Sequence, residues 1–320
     1  MFRPYWNTQS SMCILCMILL YKSVLLGYQS LCKSKWSDTG GEIYAPKCGM
    51  CSLPPYPNYM PILLLCSRFD FTSFHLVEPL LPVCVEVFYK GLSVIAIYLP
   101  VAVRAAFLGF IFSVGLFVAD LAPPSYHVLG WYMCFMSFFH YSEFLMIALT
   151  NPRTLSLDSF ILNHSVEYGV AAVASWTEFL IERWLCPDLK EMNTVSLVGV
   201  LLCVGGEVLR KLAMFTAKTN FSHIVQSVHE EGHQLVTHGV YKYCRHPSYV
   251  GWFYWSIGTQ LILVNPVCLV AYVVASWRFF NARVFMEEST LLNFFGDDYY
   301  QYQKQVSTGL PFIQGYKLEL

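Results

Sequence analysis

Charge is what this chain has least of. Only 13% of its 320 residues are Asp, Glu, Lys or Arg, and 20 basic against 21 acidic residues leave a net charge of −1. No dense basic stripe is available to displace counterions, which excludes a nucleic-acid partner. Runs that alternate apolar and polar residues over about ten positions, the mark of a membrane barrel, are also missing. No G-x-G-x-x-G follows a strand pattern. Cysteine is not scarce, but a disulfide framework is. Cys13, Cys16, Cys84, Cys134, Cys203 and Cys268 lie inside apolar runs, where Cys behaves as a small hydrophobe. Cys48 and Cys51 form a C-x-x-C without a second ligand pair, which argues against a metal site.

What is abundant is apolar sequence: 56% hydrophobic residues and a mean hydropathy of +0.47, too greasy for an ordinary soluble domain. A spanning helix needs about 20 mostly apolar residues. Segments 11–28, 77–99, 104–121, 127–149, 163–182, 194–217, 248–264 and 266–284 approach or meet that length. The expectation is an all-α, polytopic integral membrane protein of about eight transmembrane helices. The first run is taken as a retained helix and not a cleaved signal. Pro266 after Asn265 suits a first helical position, so the last two runs predict a tight C-terminal helical hairpin, with the final helix continuing through Glu288. Residues 29–75 hold Pro46, Pro54, Pro55, Pro57 and Pro61 and read as irregular.

Basic residues set the orientation, since short cytosolic loops carry excess Lys and Arg. The loops at 122–126 and 265 have none; Arg153, Lys218, Lys242, Arg245, Lys304 and Lys317 mark the other side. Lys33, Lys35, Lys47 and Lys190 fall on the wrong side of this scheme. The tail Lys317-Leu318-Glu319-Leu320 has the wrong second residue for a lumenal retrieval signal.

Several polar residues stand out. His223, His229, His233 and His238 share one loop without H-E-x-x-H spacing and read as solvated side chains. His140, Glu143, Glu167, Glu178 and Glu207 interrupt apolar runs, where an ionisable group is either packing glue or part of a site. Arg210 and Lys211 follow Glu207 at helical spacing. Gly199, Gly205 and Gly206 suggest close helix contacts. Arg283 and Glu287 lie four apart in the base-first order, which stabilises a helix weakly; one charge of each sign side by side suits a site that holds a carboxylate and an ammonium group. The stretch GVYKYCRHPSYVGW, 239–252, gathers aromatic and polar residues at the mouth of an apolar run, as an interfacial belt or a cofactor site would.

Taken together, TNFSHIVQ (219–226), HQLVTHGVYKYCRHPSYVGWFYW (233–255), RFFNARVFMEE (278–288) and FFGDDYYQY (294–302) resemble the isoprenylcysteine carboxyl methyltransferase family. The likeness runs upstream through GWYMCFMSFFHYSEF (130–144) to about Arg104. It implies a membrane methyltransferase core over 104–320, with a cytosol-facing cofactor site in 218–320, behind a divergent N-terminal membrane region, 1–103. The family's S-adenosylmethionine contacts fall on Gln226, His233, Gln234, Leu235, Val236, Tyr241, His246, Pro247, Ser248, Tyr249 and Glu287, and its substrate-recognising residue on Arg283. Arg283 and Glu287 are the expected catalytic pair. The implied reaction methylates the α-carboxylate of a farnesylated or geranylgeranylated C-terminal cysteine in CaaX-processed proteins, such as small GTPases of the Ras and Rho types. The implied place is the endoplasmic reticulum membrane, with membrane lipid as a further partner. The R-H-P-S-Y block alone also resembles sterol reductases and phospholipid methyltransferases, and a non-catalytic receptor for prenylated tails is a further alternative.

Overall fold

The computed structural model describes residues 77–162 and 165–317. The expected helix at 11–28, the irregular stretch 29–75 and the Cys48/Cys51 pair lie outside the described residues. Seven α-helices are present among them: α1 Val77–Leu121, α2 Pro124–Thr150, α3 Val166–Leu185, α4 Asn193–Ala217, α5 Pro247–Leu263, α6 Pro266–Phe295 and α7 Asp297–Gln305. One compact unit includes Arg104–Leu320 and another ends at Val103; everything below from Arg104 onward concerns the first. No described residue is in a strand. Tyr98–Leu121 of α1, all of α2 and all of α6 are long and apolar enough to cross a membrane.

One expectation needs correcting. Runs 77–99 and 104–121 form a single helix, not two. The bridging residues, Pro100-Val101-Ala102-Val103, contain no Gly, Asn or Asp to turn the chain, so Pro100 is absorbed inside the helix. The hairpin of α5 and α6 has the expected corner. Val264 takes the left-handed conformation at φ 53°, Asn265 donates to the Ser175 carbonyl at 2.9 Å, and Pro266 opens α6.

Two ionisable groups flagged in the sequence close helix ends here. Glu178 accepts from the backbone N–H groups of Val267 and Cys268 at 2.7 and 2.6 Å, capping the positive N-terminus of α6. Lys190, fully buried, donates to the carbonyls of Leu263 and Val264 at 3.1 and 2.9 Å and pairs with Glu182 at 2.6 Å. Its charge neutralises the carbonyl end of α5, so it never was a topology signal.

The tightest crossing is α4 on α5. A methyl group at Gly199 would lie 2.7 Å from the Gly258 carbonyl oxygen, and one at Gly206 would lie 2.9 Å from the Trp255 nitrogen. Only glycine permits backbones this close. Gly205 is the exception among the three glycines singled out, facing open space. The far face of α4 presents Leu197, Leu201, Val204, Val208, Leu212 and Phe215 outward, a stripe at helical spacing that suits lipid. Inside, Phe139 of α2 stacks on Trp255 of α5 with centroids 3.9 Å apart.

Candidate active site

The R-H-P-S-Y block sits at the entry to α5, where Pro247 occupies the first helical turn. Its backbone is held from outside: Arg245 N–H donates to the Ser307 carbonyl at 2.8 Å and His246 N–H to that of Thr308 at 3.3 Å. Buried Glu288 anchors the side chains. One of its oxygens accepts from Arg245 Nε at 2.8 Å and lies 2.9 Å from His246 Nε2. The other accepts from Gln303 Nε2 at 3.0 Å and Tyr316 N–H at 2.9 Å. Arg245 also donates to the carbonyls of Gln303 and Gln314, each at 3.2 Å, and to that of Val306. Arg245 and Glu288 thus tie the block to the C-terminal tail. The sequence signal available for Glu288 was a second carboxylate beside Glu287, one step around the helix.

Beside this scaffold lies a cleft of about 690 Å3, part of it open to solvent. His233, Gln234, Leu235, Val236, Tyr241, His246, Pro247, Ser248, Tyr249 and Glu287 all line it; Gln226 does not. Arg245, Leu291, Phe295, Tyr299 and Tyr302 extend the wall, and the stretch from Asn220 to Ser222 lines it too. Tyr302 donates to the Tyr241 carbonyl at 2.5 Å. Burial pushes both phenols well above their ordinary range, so they remain protonated. The His233 imidazole is held below its usual range, first by burial and then by neighbouring His229. Those two rings stack at 5.6 Å and pack against Phe295; His229 is exposed, as expected from the loop, whereas His233 is partly buried.

Arg283 stands just behind the wall. Its Nε donates to the Tyr249 hydroxyl at 3.1 Å and its Nη2 to the His223 carbonyl at 2.6 Å. The Tyr249 hydroxyl in turn donates to Glu287, so Arg283 and Glu287 are joined through a phenol.

A second network was missed as a network. Glu143, fully buried in α2, accepts from Arg210 Nε and Nη2 at 2.6 and 2.7 Å, from Lys211, and from His223 Nε2 at 2.8 Å. The sequence assigned Arg210 to Glu207; only Lys211 reaches Glu207, at 3.2 Å. Glu207 also accepts from Ser142 at 2.5 Å. Arg210 uses its remaining arm on Ser248 Oγ at 2.7 Å, reaching the cleft wall. His140 is packing glue, bonding the Phe160 carbonyl at 2.9 Å and the Tyr168 hydroxyl at 3.1 Å.

The donor set fits a small cationic, nucleoside-bearing methyl donor. Glu287 offers a carboxylate to an ammonium group, and Tyr241, Phe295 and Tyr302 offer rings to a base. Membrane-length apolar helices, no strand among the described residues, and such a cleft beside the C-terminal part of one of those helices, α6, are the make-up of an intramembrane enzyme. Residues 198–293 match the model of the isoprenylcysteine carboxyl methyltransferase (ICMT) family. The chain is 56% identical over 218 residues to the protein-S-isoprenylcysteine O-methyltransferase of Tribolium castaneum, covering 68% of this chain and 78% of that one. It is 54% identical over 220 residues to the enzyme of the same name from Homo sapiens, covering 69% and 77%. A solved structure of the eukaryotic intramembrane Ras methyltransferase ICMT superposes with a TM-score of 0.71 at 43% identity, covering 92% of this chain and 99% of that one. The chain belongs to the isoprenylcysteine carboxyl methyltransferase family, and it is a membrane-embedded methyltransferase.

Proposed function

We propose that this chain transfers a methyl group from S-adenosylmethionine to the α-carboxylate of a farnesylated or geranylgeranylated C-terminal cysteine. The observation that carries the reading is convergence: every cofactor residue drawn from the sequence except Gln226 lines one cleft, and Arg283 is bonded to its wall through Tyr249. When bound, the donor supplies a methyl group on a positively charged sulfur, and transfer to a carboxylate leaves a neutral ester and a neutral thioether. An α-carboxyl group, with a pKa of about 3.5, is already ionised at neutral pH, so no residue need act as a base. What the chain supplies is placement. Glu287 complements the donor's ammonium group, Tyr241 and Phe295 flank its rings, and Arg283, with Nε on Tyr249 and Nη2 on the His223 carbonyl, offers Nη1 to the substrate carboxylate. Walls that exclude water favour a reaction that annihilates a pair of charges.

The substrates are processed CaaX proteins such as small GTPases of the Ras and Rho types, with the prenyl chain held by the surrounding lipid. A cleft on the cytosolic face of the endoplasmic reticulum membrane completes the reading; Lys218, Lys242 and Lys304 on that side agree with it. A sterol reductase, a phospholipid methyltransferase and a silent prenyl receptor are disfavoured, since the relatives carry protein-S-isoprenylcysteine O-methyltransferase names. The test is transfer of labelled methyl from S-adenosylmethionine to a farnesylated cysteine analogue by the purified protein in bilayers. Donor binding without ester formation would overturn the assignment.

A further inference from the structure

His223 occupies a singular place between the two networks. Its ring Nε2 lies 2.8 Å from Glu143 Oε2, and facing a carboxylate oxygen that nitrogen must donate. Its main-chain carbonyl accepts from Arg283 Nη2 at 2.6 Å. Glu143 is itself held in place: fully buried in α2, it accepts from Arg210 Nε and Nη2 and from Lys211. The ring of His223 also packs edge-on against buried Phe221 with centroids 5.6 Å apart. Around it, residues 221–238 contain no helix or strand, and neighbouring Ile224 and Val228 are exposed. The chain is pinned just before it, where the carbonyl of buried Phe221 accepts from Asn151 Nδ2 at 3.0 Å; against the irregular stretch that follows, the imidazole is what holds the His223 carbonyl.

We propose that His223 is a positioning residue for Arg283. By anchoring its ring on Glu143, it holds its own carbonyl where it takes one amino group of the Arg283 fork, leaving Nη1 aimed at the substrate carboxylate. Tyr249 holds the guanidinium at Nε and the His223 carbonyl holds it at Nη2; together with the side-chain stem these fix the plane of the fork, which the Nε contact alone leaves free to turn. The inference rests on the reading of Arg283 as the carboxylate clamp.

A ligand pair separates positioning from general stability: N-acetyl-S-farnesylcysteine, which carries the carboxylate, and its methyl ester, which does not. The measurement is the ratio of their dissociation constants for the full-length protein in bilayers, with S-adenosylmethionine affinity recorded on the same preparations. Arg283→Ala should abolish the preference for the acid. His223→Ala should reduce it roughly tenfold, the scale of a misplaced but present group, while donor affinity stays within about twofold. His223→Gln, whose side-chain amide can donate to Glu143 as Nε2 does, should restore most of the preference. A merely structural role would weaken acid and ester alike and leave the ratio unmoved. If His223→Ala keeps the wild-type ratio while Arg283→Ala loses it, the positioning role is overturned and the clamp stands. If Arg283→Ala keeps the ratio, the clamp itself fails and the role of His223 falls with it. Should His223→Ala not fold, His223→Gln and His223→Asn carry the comparison: the shorter amide of Asn cannot reach Glu143, so equal ratios in those two variants also overturn the proposal.

Discussion

At Tyr249 one hydroxyl accepts from a cation and donates to a carboxylate, and this arrangement decides how Arg283 and Glu287 can be told apart. Arg283→Lys keeps the charge but loses the planar fork. Turnover with a farnesylated cysteine analogue should fall tenfold to a hundredfold, about 1.4–2.7 kcal/mol of transition-state stabilisation, while donor affinity barely moves. Glu287→Ala should do the reverse and weaken S-adenosylmethionine binding first; unchanged affinity in a folded variant would refute that role. His233 yields a pH signature. Its folded-state pKa is depressed by burial and by His229, so the unfolded chain, titrating near 6.5, binds the proton more readily than the folded one. Stability is therefore full above about pH 6.5 and falls as pH drops through the window below it. Thermal unfolding between about pH 5 and 7 should flatten in His233→Gln. Charge type and helical spacing made Arg283 and Glu287 legible in the sequence. The grip on Glu143 was not, because its partners Arg210 and His223 lie 67 and 80 positions away, beyond the reach of any local pattern.

The helices that frame the site followed from hydropathy and proline, which act over one or two turns. Pro124, Pro247 and Pro266 each open a helix, and the runs drawn at 194–217 and 248–264 differ from α4 and α5 by one residue at most at either end. What hydropathy could not supply was the side on which each helix is touched. Gly205 and Gly206 are adjacent and chemically identical, yet one faces open space and the other meets the backbone of α5. Gly206→Ala must push apart two backbones, an overpacking cost of about 1–3 kcal/mol. Gly205→Ala meets nothing and should be neutral or stabilising by up to about 1 kcal/mol through helix propensity. Thermal unfolding of both variants in one detergent checks the contrast. Because α5 carries Ser248 and Tyr249 into the cleft wall, Gly206→Ala should also weaken donor binding, and equal stabilities for the two variants would mean that the α4–α5 crossing is looser than drawn.

On the scale of the whole molecule, the cleft is built from both sides of the membrane core's end: helices bring Ser248, Tyr249 and Glu287, and the chain beyond α7 returns to hold the block that precedes α5. Two deletions separate these contributions. Residues 29–75, with five prolines and no chemistry assigned to them, should be removable with some methyl transfer retained, and complete loss with normal insertion would show that they matter. The tail is different. Residues 307–317 supply acceptors to the buried Arg245 through Gln314 and to its backbone through Ser307, while Tyr316 donates to Glu288 and the Pro311 carbonyl accepts from Trp277. Stopping the chain after Val306 removes all of these at once. Each buried polar group left without a partner costs about 1–3 kcal/mol, more for a charged one. Water entering the vacated space would recover part of that cost but not the fixed direction of His246, which shares Glu288 with Arg245. The truncated protein should therefore insert into membranes, since α1, α2 and α6 carry their own hydropathy, yet bind S-adenosylmethionine at least tenfold more weakly, about 1.4 kcal/mol. Titration of donor binding, alongside a protease-protection assay for insertion, distinguishes the two effects, and a truncated chain that binds the donor as the full one does would mean that the R-H-P-S-Y block holds its shape without the tail.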